Sequence, residues 1–157
     1  MKLNEIPQRD YYNHILERLC HMVKRGQKDN AEKYGMVAAA LIDPKGRTVQ
    51  ALNYVNNDGH RTHAERAAIE KYEEIYGDIP KHSIIVSTLS PCSKHMHDRL
   101  GISCTDLLNK YGIKAVYCGY LDPTQMDSCE EKREFDVKET NEPEIRDQCK
   151  EFANTFL

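Results

Sequence analysis

Three motifs organise this chain: His63-Ala64-Glu65, Ser90-Pro91-Cys92 and Ser103-Cys104-Thr105-Asp106-Leu107-Leu108. Histidine and cysteine side chains bind zinc, and a catalytic zinc site has three protein ligands with a fourth position open for water. A carboxylate that is not a ligand can move protons beside such a metal. The motifs therefore predict a catalytic zinc centre with His63, Cys92 and Cys104 as ligands and Glu65 as the proton carrier.

The residues around the motifs predict that each ligand lies at or just before the start of a helix. From His63 to Gly77, apolar residues recur every three or four positions, which indicates a helix. The β-branched run over residues 83–88 predicts a buried strand that leads to Cys92, and a second helix begins at Cys104. Partial positive charge at a helix N-terminus favours the thiolates that zinc needs.

Working outward, the pattern predicts a helix within residues 7–25 that Gly26 ends, a hairpin over 36–53, a strand over 114–120, and a last helix opened by Asn141-Glu142-Pro143. Residues 54–62 are predicted to be a polar loop, and residues 126–140 are charged and lack a clear period. This order of elements predicts an α/β fold with helices layered on a sheet. Ligands of such sheets bind beyond the carboxyl ends of the strands, where both motif helices begin.

At 157 residues, the chain is expected to form one domain over 1–157 with a single core. No run approaches a membrane span, and the first seven residues lack the apolar centre of a signal peptide. Six cysteines without such a signal are expected to be reduced thiols and metal ligands. The chain is therefore predicted to be cytoplasmic.

The charge distribution favours a small-molecule partner. The net charge is −3, and the segment from Asp127 onward holds ten acidic and five basic residues. Of the 25 acidic and 22 basic residues in total, fifteen and seventeen remain before it, without a basic block. A long polyanion is usually bound by a basic footprint, so nucleic acid is not the favoured partner.

The motifs resemble those of the zinc-dependent cytidine-deaminase superfamily, over roughly residues 10–125. Thr62-His63-Ala64-Glu65-Arg66-Ala67-Ala68-Ile69 is similar to its first motif, and Ser87-Thr88-Leu89-Ser90-Pro91-Cys92 to the lead into its second. The Asp122-Pro123 strand end resembles the Asp-Pro strand end of the branches that contain tRNA adenosine deaminases and riboflavin-pathway deaminases. The resemblance implies a three-layer α/β/α sandwich with a central mixed sheet, whose core covers about 10–125 and precedes a charged segment and C-terminal helix over 127–157.

The spacing of the two cysteines departs from the superfamily's usual P-C-x-x-C motif. Eleven residues, instead of two, separate Cys92 from Cys104. Riboflavin-pathway pyrimidine deaminases resemble this chain in carrying a loop there, followed by cysteine, a small residue, Asp and an apolar run. Their loop is shorter, and their Pro-Pro before the cysteine is Ile102-Ser103 here. The Pro-Asn-Pro of their first loop and a reductase-like domain are absent from these 157 residues, so the substrate stays open.

His95 is an alternative third ligand, because it lies where the usual motif has its second cysteine. Cys104 is favoured because it recreates the helix start with matching neighbours. His95 and His97 are then interpreted as loop residues or substrate contacts. Arg99 and Lys94 are candidates to bind a phosphate, with solvated loop charges as the alternative interpretation.

The resemblance also implies substrate contacts near the metal. Asn53 ends the second predicted strand, where deaminases of nucleosides and nucleotides use an Asn to hold the sugar. The alternative is that Asn53 caps its own turn. The backbone around Ala64 and Cys92 is expected to orient the substrate ring.

These features predict a zinc-dependent hydrolase of C–N bonds in cyclic amidines, a deaminase of an aminated nucleobase. The expected substrate is a small nucleotide or related pyrimidine, dCMP-like or a riboflavin-pathway diaminopyrimidine phosphate. One alternative is a deaminase of a base in tRNA or single-stranded DNA, with Tyr54 and Arg61 as weak candidate contacts. Another is a non-catalytic zinc-stabilised binding module, against which the intact Glu65 argues. The resemblance implies a homo-oligomer, which the apolar face of the C-terminal helix permits.

Overall fold

A computed structural model of the chain describes residues 8–29, 36–55, 61–92, 103–123 and 133–154. These parts contain the helices α1 (Gln8–Asp29), α2 (Ala64–Tyr76), α3 (Cys104–Lys110) and α4 (Pro143–Asn154). The strands are β1 (Ala38–Ile42), β2 (Thr48–Leu52), β3 (Tyr54–Val55), β4 (Arg61–Thr62), β5 (Ile84–Leu89), β6 (Ala115–Tyr120) and β7 (Asp136–Glu139).

Five of these strands form one mixed sheet in the order β2-β1-β5-β6-β7. β1 pairs antiparallel with both β2 and β5, which confirms the predicted hairpin. β5, β6 and β7 run parallel to one another, so their carboxyl ends lie at the same edge. β3 and β4 form a separate two-stranded ribbon that leads directly into His63.

Helices cover both faces of the sheet, which confirms the three-layer α/β/α architecture. Alternate residues of β1 divide between the two cores, because successive side chains of a strand point to opposite faces. Ala38, Ala40 and Ile42 belong to the core with α1 and α4, whereas Leu41 belongs to the core with α2 and α3. The small alanine side chains let a helix approach the sheet closely.

Gly26 does not end the first helix, contrary to the prediction, and α1 continues to Asp29. A Cβ at this position would lie 2.7 Å from the side chain of Met36 and 3.3 Å from that of Leu52. The glycine therefore provides room for close packing against the hairpin, and helix interiors tolerate glycine at a modest cost.

Two segments in which no strand was predicted contain strands. Residues 54–62 begin with β3 and end with β4. Within residues 126–140, the described part contains β7, whose side chains alternate between exposed and half-buried. This strand is charged and gains its order from pairing with β6, which a local pattern cannot reveal.

The buried apolar residues of α4 belong to the protein's own core and are therefore not available for subunit contacts. Ile145, Cys149 and Phe152 are buried against α1 and the sheet. Gly119 allows this close packing, because a Cβ there would lie 2.2 Å from the sulfur of Cys149. None of the described helices combines the length and the apolar character that crossing a bilayer requires.

Candidate metal centre

The three predicted ligands meet at the carboxyl end of β5, as the sequence suggested. His63 is the N-cap of α2 and has an extended backbone, with φ −68° and ψ 155°. Cys92 follows β5 after a short turn, and Cys104 is the first residue of α3. The N-cap Ser103 fixes the start of α3, because its hydroxyl accepts a hydrogen bond from the Asp106 N–H at 3.0 Å.

The donor atoms have the spacing that zinc requires. Nδ1 of His63 lies 3.3 Å from Sγ of Cys104 and 3.6 Å from Sγ of Cys92. All three donor atoms lie within 4.8 Å of one another. Tetrahedral zinc with ordinary Zn–S and Zn–N bonds places its ligand atoms about 3.5 Å apart. Among the described residues, this is the group of His, Cys, Asp and Glu side chains that could hold a metal ion.

The first residues of α3 are hydrogen-bonded directly to Cys92. The carbonyl of Cys92 accepts hydrogen bonds from the Thr105 N–H at 3.1 Å and from the Thr105 hydroxyl at 2.9 Å. The N–H of Cys104 donates to Sγ of Cys92 at 3.2 Å. These contacts hold the two cysteines together although eleven residues separate them in the sequence.

The electrostatics of the site favour a thiolate on Cys92. The hydrogen bond with the Cys104 side chain is the largest of the effects that lower the pKa of Cys92 to about 5. Burial opposes this shift, whereas the His63 side chain and the Cys104 N–H reinforce it. The same hydrogen bond and its own burial raise the pKa of Cys104. Zinc coordination deprotonates such a thiol, so both sulfurs can serve as ligands.

Glu65 lies beside the donor group in the first turn of α2 and is buried. One carboxylate oxygen, Oε2, is 3.3 Å from Sγ of Cys104. The other, Oε1, is 3.3 Å from the hydroxyl of Ser87. Burial raises the pKa of the Glu65 carboxyl, which brings its proton exchange closer to neutral pH.

The predicted substrate contacts are described only in part. Ala64 is fully buried and packs with Val37 and Ala39. Asn53 closes the hairpin: its Oδ1 accepts from the Val37 N–H at 2.9 Å, and its own N–H donates to the Val37 carbonyl at 3.0 Å. The oxygen of Asn53 therefore bonds across the open end of the hairpin and does not cap its own turn. Arg99, His95, His97 and Lys94 lie outside the described residues.

Sequence reasoning gave no role to three hydroxyl side chains of this region. Ser87 reaches Glu65, Thr105 holds Cys92, and Ser90 accepts a hydrogen bond from the Asp122 N–H at 2.9 Å. For Ser87 the sequence did contain a clue, because a hydroxyl in an apolar strand needs a hydrogen-bond partner. The hydroxyl of Thr62 is buried without such a partner in the described parts of the chain.

The C-terminal segment supports the edge of the site. Glu139, at the end of β7, accepts a hydrogen bond from the Leu121 N–H at 2.8 Å and pairs with Arg146 of α4 at 2.9 Å. The next residue after Leu121 is held by Ser90, two positions before Cys92. Two hydrogen bonds therefore connect β7 to the loop that carries a predicted ligand.

The fold and the donor set define a zinc-binding protein of the α/β class. Residues 13–120 match the family described as the cytidine and deoxycytidylate deaminase zinc-binding region. The chain belongs to this family, which confirms both the predicted superfamily and zinc as the cofactor.

Three similar proteins agree with this assignment. The chain is 32% identical over 120 residues to the diaminohydroxyphosphoribosylamino-pyrimidine deaminase of Schizosaccharomyces pombe, covering 76% of this chain and 29% of that protein. The crystal structure of a Thermotoga maritima diaminohydroxyphosphoribosylaminopyrimidine deaminase and 5-amino-6-(5-phosphoribosylamino)uracil reductase superposes with a TM-score of 0.69 at 23% identity, covering 94% of this chain and 42% of the other. This chain therefore spans less than half the length of either relative.

A smaller protein has the same fold over nearly its whole length. The dCMP deaminase of cyanophage S-TIM5, in complex with dCMP and dUMP, superposes with a TM-score of 0.55 at 19% identity, covering 80% of this chain and 96% of the other. Both structural similarities confirm the predicted cytidine-deaminase-like fold.

Proposed function

We propose that this chain is a zinc-dependent hydrolytic deaminase of an aminated pyrimidine carried by a small sugar phosphate. The juxtaposition of a buried Glu65 carboxylate with the His63, Cys92 and Cys104 donor atoms carries the proposal. A purely structural zinc site is closed by four protein ligands and has no use for a buried carboxylate beside them. This arrangement supports catalysis over the interpretation as a zinc-stabilised binding module.

In this proposal Glu65 moves the proton that the reaction requires. When bound, zinc lowers the pKa of water and supplies a nucleophile at neutral pH. Glu65 takes one proton from the attacking water and delivers it to the ring nitrogen. It then takes the remaining proton from the newly attached hydroxyl and delivers it to the amine, so that ammonia departs and a carbonyl remains. The raised pKa of Glu65 suits a group that must take up and release a proton twice in each cycle.

The substrate class follows from the named relatives. The fission yeast relative is named as a deaminase of a phosphoribosylated diaminopyrimidine, and a structural neighbour as a dCMP deaminase. We rank the diaminopyrimidine phosphate first, because that relative has the higher sequence identity. Asn53 as a sugar contact, Arg99 as a phosphate contact and Ala64 as a ring contact are further parts of the proposal.

Ammonia release from purified zinc-loaded protein tests the proposal. The panel consists of cytosine, cytidine, dCMP, guanine, adenosine and the riboflavin-pathway diaminopyrimidine phosphate. We expect turnover of one phosphorylated pyrimidine, with weaker or no activity on the unphosphorylated compounds. If no panel compound releases ammonia with zinc bound, the result would contradict the proposal. It would favour a deaminase of a base in nucleic acid or a non-catalytic module.

The proposal includes a homo-oligomer in the cytoplasm for which nucleic acid is a possible but not the favoured partner. Because Ile145, Cys149 and Phe152 of α4 are internal, we expect other surfaces to mediate self-association. Tyr54, Ile75 and Tyr76 are the exposed large apolar side chains among the described residues. Light scattering during gel filtration should show more than one copy per particle, and a monomer at micromolar concentration would contradict this part of the proposal.

A further inference from the structure

Ser87 is a buried serine in the middle of the central strand β5. Its neighbours across the sheet are Ala39 of β1 and Cys118 of β6, and its side chain is completely inaccessible to solvent. It points to the same face of the sheet as Ile85, which packs with α2 and α3. Burying a hydroxyl among such side chains is costly unless the group is hydrogen-bonded.

The hydrogen bonds of Ser87 define the direction of its proton. The Leu89 N–H donates to Oγ of Ser87 at 3.3 Å, so this oxygen is an acceptor towards its own strand. Oγ also lies 3.3 Å from Oε1 of Glu65. Because the Leu89 N–H already donates to Oγ, the hydroxyl keeps its own proton to donate, and Oε1 of Glu65 is the acceptor within hydrogen-bond distance.

We infer that Ser87 is a positioning residue that holds Oε1 of Glu65 and thereby presents Oε2 to the reacting groups. The inference rests on the proposed role of Glu65 as the proton carrier. The two oxygens of a carboxylate are chemically equivalent until their surroundings distinguish them. Here Oε1 faces the Ser87 hydroxyl, whereas Oε2 lies on the side of Cys104, 3.3 Å from its sulfur.

A fixed carboxylate matters because proton transfer depends on the position and orientation of the carrier. Small displacements of a catalytic group lower the rate without preventing the substrate from binding. Ser87 comes from the rigid centre of the sheet, whereas Glu65 comes from the first turn of α2. The hydrogen bond thus connects the proton carrier to the central strand of the sheet.

The test compares Ser87→Ala with a matched control, Ser83→Ala. Ser83 is equally buried just before β5, but its hydroxyl donates to the Pro80 carbonyl at 2.6 Å. The Glu65 carboxylate bands are obtained as infrared difference spectra between each protein and its Glu65→Gln counterpart, all zinc-loaded. We expect these bands to shift in Ser87→Ala and to stay in place in Ser83→Ala, with zinc content unchanged in both.

Kinetics with the substrate found in the panel give a second readout. Ser87→Ala should lower kcat about tenfold with KM unchanged, the size expected for losing one hydrogen bond to a charged group. Ser87→Thr keeps the hydroxyl and should restore most of the rate, whereas Ser83→Ala should behave like the wild type. A change in KM without a change in kcat would overturn the inference, and so would equal effects of the two alanine substitutions.

The infrared comparison separates this inference from the proposed function. If no panel compound releases ammonia, the proposed function fails, but a band shift specific to Ser87→Ala would still establish the hydrogen bond. Unshifted Glu65 bands in Ser87→Ala would show that Ser87 does not hold the carboxylate, whatever the activity. Ser87→Cys nearly preserves the volume with a weaker donor, and it must give an intermediate band position.

Discussion

Nδ1 of His63 lies 3.3 Å from the sulfur of Cys104, although 41 positions separate the two residues in the chain. The distance matches the edge of a zinc tetrahedron and supports Cys104 as the third ligand. We therefore expect Cys104→Ala to weaken zinc binding by more than about 100-fold, since even outer partners of a ligand contribute 10- to 100-fold. Competition with a chromophoric chelator would measure the affinity.

His95→Ala is the matched comparison for the third ligand. We expect this variant to retain zinc like the wild type. If His95→Ala loses the metal and Cys104→Ala keeps it, the ligand assignment is wrong and His95 takes the place of Cys104.

Replacing Glu65 should separate metal binding from turnover. Glu65→Gln keeps the size of the side chain but removes its capacity to accept and release a proton. We expect zinc content to remain and the rate of ammonia release to fall roughly 10²- to 10⁴-fold, the usual contribution of general acid–base catalysis. Glu73→Gln, on the same helix but hydrogen-bonded to the Tyr111 hydroxyl, serves as the control. Turnover that survives in Glu65→Gln would refute the assigned proton carrier.

The ionisation of Asp43 should make the free energy of unfolding depend on pH in the acid range. Burial alone would raise the pKa of Asp43, but hydrogen bonds from the Tyr72 hydroxyl, the Arg47 guanidinium and the N–H groups of Arg47 and Lys45 outweigh it and lower the pKa to about 2. The folded pKa therefore lies below the unfolded value of about 3.9. The stabilisation is complete above the unfolded pKa and is lost as the pH falls from about 4 towards about 2.

Urea unfolding of Asp43→Asn across this pH range tests that expectation. The variant should be less stable than the wild type near neutral pH, and the difference in unfolding free energy should shrink below pH of about 4. Asp147→Asn is the control, because Asp147 is exposed and its contact with Arg146 is long, at 3.7 Å. A difference that stays constant with pH would contradict the assigned ionisation.

Gly119→Ala should destabilise the packing of α4 on the sheet. The added Cβ would lie 2.2 Å from Sγ and 2.8 Å from Cβ of Cys149, and 3.1 Å from the Thr88 carbonyl. We expect a loss of about 1–3 kcal/mol of unfolding free energy, the usual cost of overpacking a core. Chemical denaturation of the wild type and the variant would measure it.

The Cys149→Ala background provides the control for this clash. Removing the sulfur eliminates the shortest contact but leaves the Cβ contact, so Gly119→Ala should cost less there than in the wild type without becoming neutral. Additive effects of the two substitutions would show that the steric conflict lies elsewhere.

Much of the site could be predicted because its parts follow a short-range pattern. His63, Cys92 and Cys104 are chemically distinctive residues, and the helix starts at His63 and Cys104 can be recognised in the sequence. The partners that surround them cannot be recognised in this way. Ser87 and Thr105 act through contacts with residues 22 and 13 positions away, which only the packed fold brings together.

The errors in the fold have the same origin. Gly26 has the local character of a helix stop, but its role is set by Met36 and Leu52 across the interface. The charged segment forms strand β7 because it pairs in parallel with β6. Its Glu139 then accepts a hydrogen bond from the Leu121 N–H and forms an ion pair with Arg146. Both features depend on tertiary neighbours, which outweigh local propensity.

The two hydrogen bonds from Thr105 to the Cys92 carbonyl hold both cysteines in place independently of the length of the chain segment between them. Closing a surface loop becomes costlier only slowly with length, by about 0.6 kcal/mol for each doubling. Residues 93–102 could therefore be lengthened, shortened or exchanged while both cysteines keep their places. We expect that exchanging this segment between relatives would change substrate specificity and leave the predicted zinc ligands in place.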